Sequence, residues 1–138
     1  MEQPEDKTDL KACLAGQHIL LVEDNPMLQE MTALTLNKDE AMVDVADNGQ
    51  QALQLTEKNN YDLVITDLFM PEMDGFELIT QLRASGFDRP VFVVSAATVG
   101  EENNRALDLG ATAALPKPFN IRLLRQAMAD IQNSSDTP

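Results

Sequence analysis

Short apolar runs alternate along the chain with longer segments of helical periodicity. The runs fall at Ile19–Val22, Met42–Ala46, Leu63–Thr66, Val91–Ser95 and Ala113–Leu115. Val91-Phe92-Val93-Val94 has no polar alternation, which suits a parallel strand covered on both faces. The first helical segment opens with Asn25-Pro26, a capping residue followed by proline at the first helical position. Leu28, Met31 and Leu34 follow on one stripe of it. Further helices are expected from Gly49 to Glu57, from Phe76 to Ala84 after Asp74-Gly75, and from Glu101 to Leu109, where Gly110 stops the fourth. A last helix starts near Asn120, with Ile121, Leu124, Met128 and Ile131 at helical spacing. Five strands, each followed by a helix, imply right-handed crossovers and an α/β fold, with a parallel sheet between two helical layers.

The segment 1–16 reads as a polar tail or linker, 17–132 as one domain, and 133–138 as a second polar tail. The length suits one domain with a real core. The 23 acidic residues against 10 basic ones, net charge −13, argue against direct contact with nucleic acid or with an anionic membrane surface. Cys13 is the sole cysteine, so no internal disulfide forms, and an inert thiol is expected there. No apolar run approaches the length of a membrane span and no signal-peptide pattern opens the chain, so a cytoplasmic setting is expected.

In an open parallel sheet the functional site lies outside the carboxyl ends of the strands. Here those ends carry Glu23-Asp24, Thr66-Asp67, Ser95-Ala96 and Leu115-Pro116-Lys117-Pro118. The fold would therefore bring three carboxylates, a hydroxyl and an ammonium to one edge from distant points of the chain. Three crowded carboxylates call for a counterion. Hard oxygen ligands without His or Cys point to magnesium. Lys117 supplies a compact charge for a phosphoryl oxygen and Ser95 a hydroxyl donor. Such a constellation suits a carboxylate that attacks phosphorus, aided by positioning and charge neutralisation.

Four motifs in order carry a family resemblance: Leu21-Val22-Glu23-Asp24-Asn25, the segment from Asp67 through Met70-Pro71 to Asp74-Gly75, Ser95-Ala96, and Lys117-Pro118-Phe119. Over about Gln17 to Gln132 the chain resembles the receiver domain of response regulators and hybrid histidine kinases. The resemblance implies a flavodoxin-like (βα)5 domain with strand order 2-1-3-4-5. It implies Asp67 as phosphoacceptor in a two-component phosphorelay, with Mg2+ held by Asp24 and Asp67, by Glu23 through water, and by the Phe69 backbone carbonyl. Lys117 takes the phosphate-pairing position and Ser95 the switch-hydroxyl position. Lys117-Pro118 is expected to be cis, and Gly75 to permit a turn that a side chain would obstruct. The implied partner is a histidine kinase or a histidine phosphotransfer domain, with a linked kinase or output domain also in view. The opening stretch from Leu14-Ala15-Gly16-Gln17-His18 through to Asn25-Pro26 resembles receivers of hybrid sensor kinases.

The family often carries an aromatic residue three positions before the lysine; that position is Ala114 here. Tyr61 cannot replace it. Phe69 and Ala97, two positions after Asp67 and Ser95, offer no polar group to a hydrolytic water, so slow loss of the phosphoryl group is expected. Two other functions compete. An aspartyl-phosphate phosphatase needs a second Asp at the place of Phe69, and a docking module without phosphorylation does not need all five polar positions. A calcium loop over Asp67 to Glu77 fails because Phe69 and Pro71 stand where oxygen ligands belong. His18 is expected to be a surface residue rather than a phosphodonor.

Overall fold

The structure, a computed structural model, describes residues 13–96 and 100–135. Strands and helices alternate as β1 His18–Val22, α1 Pro26–Lys38, β2 Met42–Ala46, α2 Gly49–Lys58, β3 Leu63–Asp67, α3 Gly75–Ala84, β4 Val91–Ser95, α4 Gly100–Leu109, β5 Ala113–Pro116 and α5 Ile121–Ser135. The strands form one parallel sheet in the order β2-β1-β3-β4-β5. Every residue of β3 and β4 is buried, including the polar Thr66, Asp67 and Ser95 at their carboxyl ends, while the apolar runs Leu63–Ile65 and Val91–Val94 suit central parallel strands.

Strand periodicity divides the interior into two layers. Ile19, Leu21, Leu63, Ile65, Phe92 and Val94 point to one side of the sheet, where Leu36 of α1 and Leu124 and Met128 of α5 cover them. Leu20, Val22, Val64, Val91 and Val93 point to the other side, under Ala52 of α2, Phe76, Leu78 and Leu82 of α3, and Ala106 of α4.

Side-chain caps fix several helix starts. The Asn25 side chain accepts from Met27 N at 2.9 Å and Leu28 N at 3.1 Å, with Pro26 next to it. Asn48 accepts from Gln51 N, Asp74 from Glu77 N, and Asn120 from Arg122 N. Gly110, at φ +123°, turns the chain out of α4 in the left-handed region.

The Leu28-Met31-Leu34 stripe does not face the sheet. Leu28, Met31 and Leu34, together with Met27, are exposed, and the buried anchor of α1 is Leu36. Short side chains at Thr32, Ala33 and Thr35 lie half-buried instead. Packing also extends past both expected limits of the domain. Leu14 is fully buried in the α1–α5 layer, Gln132 Nε2 donates to the Cys13 carbonyl, and α5 runs on to Ser135. His18 heads β1 half-buried, with its ring 4.6 Å from that of Tyr61 and Nε2 3.1 Å from Asp44 Oδ2.

Candidate functional site

The carboxyl ends of the strands assemble the predicted groups. Asp67 closes β3, and Glu23 and Asp24 follow β1 directly. One carboxylate oxygen from each of Glu23, Asp24 and Asp67 lies within 4.8 Å of the others. Glu23 and Asp67 are each 8 % exposed, whereas Asp24 faces solvent. Lys117 Nζ sits 2.5 Å from Asp67 Oδ2. The other oxygen, Oδ1, accepts a long bond of 3.3 Å from Phe69 N.

Backbone geometry holds this cluster. Lys117-Pro118 is cis, and Lys117 N donates to the Ser95 carbonyl at 3.0 Å. Ser95 is buried at the end of β4, one residue past the register partner of Asp67. Gly75 N donates to the Leu68 carbonyl at 2.7 Å. A Cβ at Gly75 would lie 2.5 Å from the Asp67 carbonyl oxygen and 2.7 Å from Leu68 Cα. The glycine is therefore required by the close approach of α3 to the Asp67 backbone.

The electrostatics follow from burial. Burial pushes the Glu23 carboxyl above its usual range, and the Asn25 N–H and the Lys117 ammonium only partly oppose it. Burial also works to lower the Lys117 pKa, but the hydrogen bond and charge of Asp67, then Glu23 and Asp24, outweigh it and hold the ammonium above its usual value. Three carboxylates thus share one adjacent cation. Oxygen donors alone, with no His or Cys among them, fit a hard divalent ion such as Mg2+.

Two side chains stand out that the sequence did not single out. Gln29 Nε2 donates to the Glu23 carbonyl at 2.5 Å and to Asp47 Oδ1 at 2.7 Å, tying the β1–α1 and β2–α2 loops together. Its signal was its place, one helical turn after the Asn25 cap. Arg105 of α4 lies with Cζ 4.2 Å from the centre of the Phe76 ring, and nothing in its local sequence marks it. Beside the carboxylates a mainly apolar cavity of about 380 Å3 opens between Leu28, Thr32, Ile65, Val94, Pro118 and Phe119. Ala114 presents only a methyl group to the layer formed by α3 and α4. Ala97 lies outside the described residues.

The profile of the response regulator receiver domain matches residues 19–129. The chain belongs to the response regulator receiver family. A probable C4-dicarboxylate response regulator of Priestia megaterium is 35 % identical over 112 residues, which cover 80 % of this chain and 49 % of that protein. The sensor histidine kinase RcsC of Salmonella typhimurium is 35 % identical over 111 residues, 80 % of this chain and 12 % of the kinase. This receiver domain thus spans about half the length of the response regulator it matches and a small part of the kinase. Among solved structures, the receiver domain of a sensor histidine kinase from Pseudomonas aeruginosa is 30 % identical with a TM-score of 0.75. It covers 84 % of this chain and 97 % of that one, and it holds a magnesium ion in its active-site cleft. The receiver domain is a signalling module of two-component systems. Among the described residues, no helix is long and apolar enough to cross a membrane.

Proposed function

We propose that Asp67 is the phosphoacceptor of this receiver domain and takes its phosphoryl group from a phosphohistidine of a kinase or phosphotransfer protein. The observation that carries the reading is Lys117 Nζ on Asp67 Oδ2, with the Glu23 and Asp24 carboxylates gathered around the same group. An Asp67 oxygen attacks phosphorus, the P–N bond to the donor imidazole breaks, and that nitrogen leaves with the bond's electron pair and takes up a proton. Asp24, Asp67 and the Phe69 backbone carbonyl, with Glu23 beside them, would hold Mg2+, which when bound would neutralise the carboxylates and the incoming phosphoryl oxygens. Lys117 transfers its ammonium from the carboxylate to a phosphoryl oxygen of the product, and the Ser95 hydroxyl donates to another. The domain catalyses only its own phosphorylation and the hydrolysis that reverses it.

The exposed stripe of Met27, Leu28, Met31 and Leu34 begins within a turn of Asp24 and offers an apolar face beside the acceptor, suited to the helices of the phosphohistidine donor. A linked kinase or output domain is a further partner on this reading, since the chain matches only 49 % of the response regulator and 12 % of the sensor histidine kinase. The setting is cytoplasmic, where kinase phosphohistidine is met.

Acetyl phosphate with magnesium should add one phosphoryl group to the native protein, seen by intact mass, and Asp67→Asn should abolish it. Equal labelling of the two proteins would refute the assignment.

A further inference from the structure

Phe69, Phe76 and Arg105 form a continuous stack from the phosphoacceptor to α4. Phe69 follows Asp67 by two residues, and its N–H donates to Asp67 Oδ1. Its ring is 52 % exposed and meets the Phe76 ring edge-on, with centroids 6.1 Å apart at 78°. Phe76 is buried in the first turn of α3, next to Gly75, whose N–H is bonded to the Leu68 carbonyl. The face of Phe76 carries the Arg105 guanidinium at 4.2 Å. Edge-on rings and a cation over a ring face are both favoured arrangements.

The residues involved come from three separate elements: the β3–α3 loop, the start of α3, and α4. Their meeting is a product of the tertiary fold. Ala114 leaves the β5 side of α4 without an aromatic ring, so this stack is the aromatic connection between the acceptor and α4 among the described residues.

We infer that Arg105 is a positioning residue which, through Phe76, sets the place of Phe69 and couples the state of Asp67 to α4. The inference rests on Asp67 as the phosphoacceptor. When an Asp67 oxygen becomes the bridging oxygen of an acyl phosphate, the Phe69 N–H loses or changes its acceptor and the loop at 68–70 shifts. Phe69 then no longer fits the edge of Phe76, and the ring that Arg105 holds is displaced. The same linkage runs backwards: a contact that favours one state of α4 alters the affinity for a phosphoryl group by the same factor. A cation over an aromatic face at an exposed site changes an equilibrium about two- to fivefold.

The test uses Arg105→Met, which keeps the length and apolar body of the side chain, and Arg105→Lys, which keeps the charge. Beryllofluoride with magnesium is the probe, and amide hydrogen exchange across 100–109 is the readout, with labelling by acetyl phosphate measured in parallel. The native protein should show a change in α4 exchange on adding the probe. Arg105→Met should still be labelled, should lose most of that change, and should shift the beryllofluoride midpoint about two- to fivefold. Arg105→Lys should recover part of both. An α4 response and midpoint in Arg105→Met equal to native, with labelling intact, overturn the inference alone. Failure of the native protein to be labelled overturns the Asp67 reading and this inference with it.

Discussion

Replacing Gly75 with alanine sets two effects of opposite sign against each other. The added Cβ would stand 2.5 Å from the Asp67 carbonyl oxygen and 2.7 Å from Leu68 Cα. That is roughly 1 Å inside ordinary contact, and both neighbours are backbone atoms that cannot rotate away. Overpacking of this kind costs about 1–3 kcal/mol. Alanine returns up to about 1 kcal/mol over glycine in a helix interior, and less at the first position, where Gly75 lies. A net loss of about 1–2 kcal/mol follows, which lowers a urea midpoint by about 0.5–1 M for a typical slope of about 2 kcal/mol/M. The strain falls on the segment that aims Asp67, the proposed phosphoacceptor, so magnesium affinity should drop as well. Gly100→Ala is the control: among the described residues its Cβ would meet only Asn104 Nδ2, at 3.8 Å, so the helix preference dominates. The assay is urea unfolding of both variants with and without magnesium. A midpoint for Gly75→Ala at or above native would refute the steric reasoning, because propensity by itself predicts that result.

Removing charges from the site should move magnesium affinity in opposite directions. Asp24→Asn deletes the charge of a proposed ligand and should weaken binding at least about tenfold, whereas Lys117→Ala deletes a repelling cation and should leave affinity unchanged or improved; a calorimetric titration in which both variants weaken equally would refute the charge arrangement. Tyr61 is the only tyrosine and there is no tryptophan, so its phenolate absorbance reports one group. Burial first, then the hydrogen bond to Asp44, raises its pKa to about 12. A raised pKa means stability fully present below about pH 10 and lost as pH rises through about 12; a spectroscopic midpoint near the ordinary tyrosine value in the folded protein would refute it, and Asp44→Asn should lower the midpoint.

The order of elements was legible because uncovered apolar runs and capping residues are local signals. Val91-Phe92-Val93-Val94 has one comfortable home, a central parallel strand, and Asn25-Pro26 and Gly110 mark helix limits by backbone chemistry. The acidic site was legible for a topological reason: in a parallel sheet every strand ends at the same edge, so Glu23, Asp24, Asp67 and Lys117 converge once the strands are placed. The facing of α1 was not legible. Leu28, Met31 and Leu34 make as regular a stripe as any buried one, yet it is Leu36 that turns inward. Arg125 pairing with buried Asp39 at 2.6 Å, across 86 residues, and Arg105 over Phe76 depend on how helices pack, which no local pattern encodes.

With Asp67 as the proposed phosphoacceptor, its resting contacts would limit how phosphorylation proceeds. Oδ2 is held by Lys117 and Oδ1 by a long bond from Phe69 N–H, so each oxygen already has a donor. Whichever oxygen attacks phosphorus gives up charge and ceases to be a strong acceptor, while the new phosphoryl oxygens become stronger ones. Lys117 is the closer and more strongly paired donor, and its backbone is pinned by the Ser95 carbonyl. The side chain can therefore follow the charge outward without the strand moving. Phe69 has no such freedom: its donor is the backbone N–H, and following the charge means moving the loop itself. On the proposed reading of Asp67, the lysine would hold the phosphoryl group and the conformational response would start at Phe69.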